Sequence, residues 1–129
     1  MNRAFACLVL TSAAVVMLGG CSGSTASGTV YAVSLTRHVK AYLPYDHETI
    51  YNTALETLET TFMYTIEKNE LDGRTGYLKA RTARENMVTF SVTRDSDAMS
   101  EVSVFVGPVG DEDAARDILS RVEKALRSR

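Results

Sequence analysis

Two cysteines and two histidines in 129 residues leave little for metal or thiol chemistry. A zinc site needs about three or four converging ligands, and beyond residue 21 the chain offers only His38 and His47 and no free thiol. Asp46-His47-Glu48 falls where a helix should begin, so capping accounts for it. Asp111-Glu112-Asp113 lacks the ligand spacing of a calcium loop and reads as an acidic first helical turn. Gly107-Pro108-Val109-Gly110 has neither the lysine nor the hydroxyl residue of a phosphate loop, and no Gly-x-Ser-x-Gly elbow surrounds any serine. No catalytic residue, cofactor or metal is expected, and the chain is read as a non-enzyme. Charge is nearly balanced, with 14 basic against 16 acidic residues, and no basic patch is dense enough for nucleic acid. Long apolar runs are missing too. The one candidate, Ala4 to Leu18, is uncharged but shorter than the roughly 20 residues a membrane-spanning helix needs.

That short run has a different use. Met1-Asn2-Arg3 supplies one positive charge, an apolar middle follows, and small residues close it, which is the layout of a secretory signal peptide over residues 1–20. Leu18-Gly19-Gly20-Cys21 resembles a bacterial lipobox, in which cleavage falls just before the cysteine. The resemblance implies that Cys21 becomes the acylated first residue, carrying two or three chains and anchoring the protein without spanning the bilayer. Two chains hold durably where one does not, at about 0.8 kcal/mol per buried methylene. Because Ser22 rather than an aspartate follows Cys21, resemblance to enterobacterial sorting implies the outer membrane, facing the periplasm. The alternative is the outer leaflet of the inner membrane. Cys7 is lost with the leader, so the mature chain has no cysteine pair and must be stabilised by burial. Ser22 to Gly28 is a Gly/Ser linker, giving a lipidated flexible tether over 21–29. Cleavage leaves 109 residues with 13 basic and 16 acidic side chains, and residues 30–129 suit one domain with a single core.

Hydrophobic period supplies the fold class. From Val33 to Leu43 apolar residues alternate, with Arg37 the exception, predicting a half-buried strand. Pro44 ends it and Asp46 reads as an N-cap. Tyr45 and Ile50 have the spacing of a hydrophobic staple, and a helical stripe runs through Ala54, Leu55 and Leu58 to about Thr60. Four further strands are predicted at Phe62 to Lys68, Thr75 to Ala83, Met87 to Arg94 and Ser100 to Gly107. Their connections are too short for crossovers. Asp111-Glu112-Asp113 then opens an amphipathic helix to about Arg127, favoured by the helix dipole. The order β-α-β-β-β-β-α predicts a two-layer α+β domain, mainly antiparallel, with two helices on one sheet face.

The other sheet face is where a partner surface is expected. Tyr77, Lys79 and Arg81 point outward between buried Leu78 and Ala80, and Thr89, Ser91, Glu101, Ser103 and Phe105 share that parity. Tyr77, Arg81 and Phe105 are the candidate anchors, because aromatics and arginine dominate interface energy. A merely solvated face is the competing reading.

"VSVFVGPVGDEDAARDILSRVEKAL" and "AYLPYDHETIYNTALETLE" together resemble a family of small bacterial lipoproteins known as domain of unknown function 3568. The likeness covers most of residues 31–127. Ala115 stands where members often have serine. The resemblance implies the fold and the lipid anchor and leaves the activity open. The sequence is therefore read as a non-catalytic envelope lipoprotein, held to the membrane by acylated Cys21, for contact with an envelope protein or envelope maintenance. A periplasmic small-ligand binder with a pocket between helix and sheet is the alternative, and no oligomeric state follows.

Overall fold

The computed structural model describes Gly23–Ser24 and residues 30–129. The predicted signal peptide and Cys21 lie outside the described residues. Seven strands and two helices follow one another as β1 (Gly23–Ser24), β2 (Val30–Val33), β3 (Val39–Leu43), α1 (His47–Glu56), β4 (Thr65–Leu71), β5 (Thr75–Arg81), β6 (Met87–Ser96), β7 (Met99–Val106) and α2 (Glu112–Arg127).

Both helices start where side-chain oxygens can accept the first unpaired N–H groups. The Asp46 carboxylate accepts from the Glu48 amide at 3.3 Å, and Asp111 accepts from the Ala114 amide at 3.0 Å. Tyr45 packs on the core that holds Ile50, as the staple spacing predicts. The far end of α1 is irregular. Thr57–Thr61 continue it as a π turn, closed by the Phe62 amide on the Thr57 carbonyl at 3.2 Å. Hydroxyls of Thr53, Thr57 and Thr60 each donate to the carbonyl four residues back, a bonding pattern that bends helices.

The sheet order is β1-β2-β3-β7-β6-β5-β4, with every neighbour antiparallel. α1 carries the chain from β3 to the far edge at β4, and the meander β4 to β7 returns until β7 pairs with β3. Burial alternates along β5, β7 and the first six residues of β6, so that Leu78, Ala80, Val88, Phe90, Val92, Val102 and Val104 lie fully buried under the helices. α1 covers β5 and β6, and α2 covers β7 and β3. This is the two-layer α+β arrangement that the period implies.

Three local expectations change. The single strand Val33 to Leu43 is two strands joined by a tight turn: the Ser34 amide donates to the His38 carbonyl at 3.0 Å, and the Arg37 amide to Ser34 at 2.9 Å. Arg37 takes φ 58°, which reverses the chain and leaves Leu35 at the tip, fully exposed, with Val33 also exposed. Phe62 to Met63 belongs to the exit from the π turn, with Met63 at φ 55°, so β4 begins three residues later than predicted. Finally, Gly23 and Ser24, inside the predicted tether, pair with Tyr31 and Val30 and join the sheet.

Candidate functional site

The face away from the helices carries the predicted anchors. Register places Tyr77 opposite Ser91 and Ser91 opposite Ser103; Lys79 faces Thr89, and Thr89 faces Phe105; Arg81 faces Met87. All three anchors thus point outward and are half-buried. They do not form one cluster. Phe105 stands two strand spacings from β5, about 10 Å, and Tyr77 and Arg81 are four residues apart along it, about 13 Å.

Each anchor is already engaged within the chain. The Lys68 ammonium sits 5.7 Å from the Tyr77 ring centroid. Arg81 pairs with Glu67 at 2.5 Å and Glu85 at 2.9 Å. Phe105 lies against His38, with ring centroids 4.7 Å apart, while His38 Nδ1 is 3.2 Å from the Ser103 hydroxyl. The first and last of these contacts hold aromatic rings in place while leaving part of each open. The two ion pairs of Arg81, whose side chain is 41% exposed, are weak individually.

A polar network on the same face escapes sequence reasoning. Glu101 of β7 accepts from Lys40 Nζ at 3.1 Å and from the Tyr42 hydroxyl at 2.7 Å. Those two hydrogen bonds, Tyr42 first, hold the Glu101 carboxyl below its ordinary range. The same bond to Glu101 pushes the Tyr42 phenol up. Outward parity of Lys40, Tyr42 and Glu101 is visible in the sequence. Their meeting depends on β3 pairing with β7, which parity does not reveal.

The histidines serve the fold. The His47 ring lies 3.2 Å from the Asp46 carboxylate and 3.0 Å from the Asp72 carbonyl, tying the start of α1 to the β4–β5 turn. Among the described residues no three His, Cys, Asp or Glu side chains gather as a metal site.

Between helices and sheet the space is filled by fully buried side chains such as Phe90, Ile50 and Leu58. A surface cleft of about 540 Å³ opens at one end of the sheet, bordered by Arg37, Asn86 and residues 106–113. It lies where the β2–β3 turn meets the β7–α2 connection. Gly110, at φ 84°, makes that meeting possible, since a Cβ there would stand 2.6 Å from Arg37 Cβ. Among the described residues no helix is long and apolar enough to cross a membrane.

Over residues 3–125 the chain matches the family described as protein of unknown function DUF3568. No curated protein matches it.

Proposed function

The chain belongs to this family of unknown function, and from that premise we propose that it is a lipid-anchored, non-catalytic bacterial envelope lipoprotein. Acylated Cys21 holds it to the membrane, by preference the outer membrane on its periplasmic side, and the helix-free sheet face meets an envelope protein. The observation that carries the interaction reading is that face: Tyr77 and Phe105 are each held by a neighbour, Lys68 and His38, yet remain only half-buried. Aromatics ordered before a partner arrives lose little freedom on binding. The filled helix–sheet layer favours this reading over a small-ligand binder, whose expected pocket would lie there. The cleft at the sheet end keeps that second reading in view.

The anchor and the face are tested separately. Cys21→Ser should abolish metabolic labelling with a fatty-acid analogue and leave unprocessed precursor; continued labelling would refute the anchor. Recovery solely with inner membranes would refute the outer-membrane address. For the face, Tyr77→Ala combined with Phe105→Ala should remove crosslinks formed in intact cells while circular dichroism stays unchanged. Unchanged crosslinks would make it a solvated surface.

A further inference from the structure

We propose that the sheet end formed by the β2–β3 turn (34–38), the β5–β6 turn (82–86) and the β7–α2 connection (107–111) rests on the bilayer, with Leu35 and Val109 entering its apolar boundary. This orientation rests on the reading of Cys21 as the anchor.

The direction of the chain carries the argument. β1 is antiparallel to β2, with Ser24 opposite Val30 and Gly23 opposite Tyr31. Moving upstream along β1 therefore leads toward Val33 and the β2–β3 turn. Cys21 precedes Gly23 by two residues, a reach of at most about 7 Å. An acyl anchor at Cys21 is thus bound by chain length to within that reach of Gly23, the β1 residue nearer the turn.

Among the described residues, the tips of this end expose apolar side chains more completely than the tips of the opposite end. Leu35 is 106% exposed and Val109 73%, against 40% for Leu71 and 36% for Met99 at the opposite end. Single exposed apolar residues are ordinary; these two share the end to which the anchor leads. They are also held together, because Gly110 packs directly on Arg37 and the Gly107 amide donates to the Met87 carbonyl at 2.8 Å. The tips of the turn and the connection therefore advance as one surface.

Charge at this end identifies the kind of contact. Exposed Arg37 and Arg84 are offset by Glu85, Asp111, Glu112 and Asp113. Such an end has no net attraction for anionic headgroups. Apolar insertion next to the acyl anchor is what remains, so the contact should be insensitive to salt in zwitterionic lipid and should gain nothing from anionic lipid.

The test uses the acylated full protein in phosphatidylcholine vesicles. Single variants Leu35→Cys, Val109→Cys, Leu71→Cys and Met99→Cys each receive an environment-sensitive fluorophore; acylated Cys21 has no free thiol to react. Lipids with nitroxide-bearing chains should quench the probes at 35 and 109 several-fold more than those at 71 and 99, at low and high salt alike. Hydrogen exchange of the unlabelled protein should show residues 34–37 and 107–110 protected in vesicles relative to detergent. Equal quenching at all four sites, without that protection, in protein that floats with the vesicles would overturn the orientation and leave the anchor standing. Protein that fails to float overturns both.

Discussion

Gly76 is the buried glycine in the middle of the packing between α1 and the sheet. It lies on β5 with inward parity, and a Cβ built there would stand 2.7 Å from Tyr51 Cδ2 and 2.9 Å from Val92 Cγ1. Tyr51 is 6% exposed and Val92 fully buried, so neither can swing into solvent. Gly76→Ala therefore forces α1 away from the sheet or drives one side chain off its rotamer. Overpacking of this kind costs about 1–3 kcal/mol, offset by about 0.4–1 kcal/mol from the stiffer unfolded chain. A net loss of about 1–2 kcal/mol should lower the urea midpoint by about 1 M at a slope of about 1.5 kcal/mol per M. Gly73 is the control, since a Cβ there meets nothing within 4 Å. Gly73→Ala should be neutral or slightly stabilising in the same urea titration followed by circular dichroism. If Gly76→Ala matched the unsubstituted chain, or Gly73→Ala were the worse of the two, α1 would not pack on β5 as described.

Ile118 is 1% exposed, so Ile118→Ala should cost about 2–5 kcal/mol, whereas Ser103→Ala, which loses only the contact with His38, should cost about 1 kcal/mol or less; the reverse ranking in urea would invert the sheet faces. Tyr31 donates to the buried Glu123 carboxylate at 2.9 Å, and Tyr31→Phe should lose about 1.5–3 kcal/mol, the range for a hydrogen bond to a charged group; an unchanged midpoint would refute that bond. The Asp72 carboxyl is held below its ordinary range, first by the Arg74 amide and then by the Thr75 amide and hydroxyl, so its contribution is present above about pH 4 and is lost as pH falls through the lowered value. The stability gap between the unsubstituted chain and Asp72→Ala should therefore narrow in acid, and a gap constant from pH 7 to below pH 3 would refute the assignment.

What could be read without coordinates followed from one-sided burial. Val88, Phe90 and Val92, then Val102, Val104 and Val106, show period two because β6 and β7 have helices on one face and none on the other. Asp46 and Asp111 announce helix starts because a short carboxylate side chain is what those amides need. The β2–β3 turn was hidden for the opposite reason. Ser34-Leu35-Thr36-Arg37 contains no glycine, proline or asparagine, and Val33, Leu35 and Val39 continue the alternation straight through it. Arg37, the one residue that broke the pattern, is the one with positive φ. The exit from α1 was hidden because helical and strand patterns overlap at Phe62, which packs on the core from the end of the π turn. Of the candidate surface, parity gave the correct side for Tyr77, Arg81 and Phe105. Their separation, and the Lys40–Tyr42–Glu101 network, depend on strand order, which local pattern does not encode.

The two proposed surfaces adjoin at Phe105, whose ring lies beside Gly110 of the loop end, but their other residues differ, and that division can be tested. β3 and β5 to β7 run between the loop end, with Leu35 and Val109, and the opposite end, with Leu71 and Met99. With the loop end on the bilayer the strands stand away from the membrane, and the helix-free face looks sideways, toward neighbours anchored in or beside the same leaflet. A partner reached this way would not compete with the lipid for the same residues. Leu35→Ser combined with Val109→Ser should therefore leave the chain acylated and folded, since neither side chain is buried. It should also deprotect residues 34–37 and 107–110 in vesicles while retaining the crosslinks that depend on Phe105. Conversely, the Tyr77→Ala, Phe105→Ala pair should remove crosslinks and leave that protection unchanged. Loss of both signals in either variant would mean that partner and membrane share one surface, and the division between sheet face and loop end would be wrong.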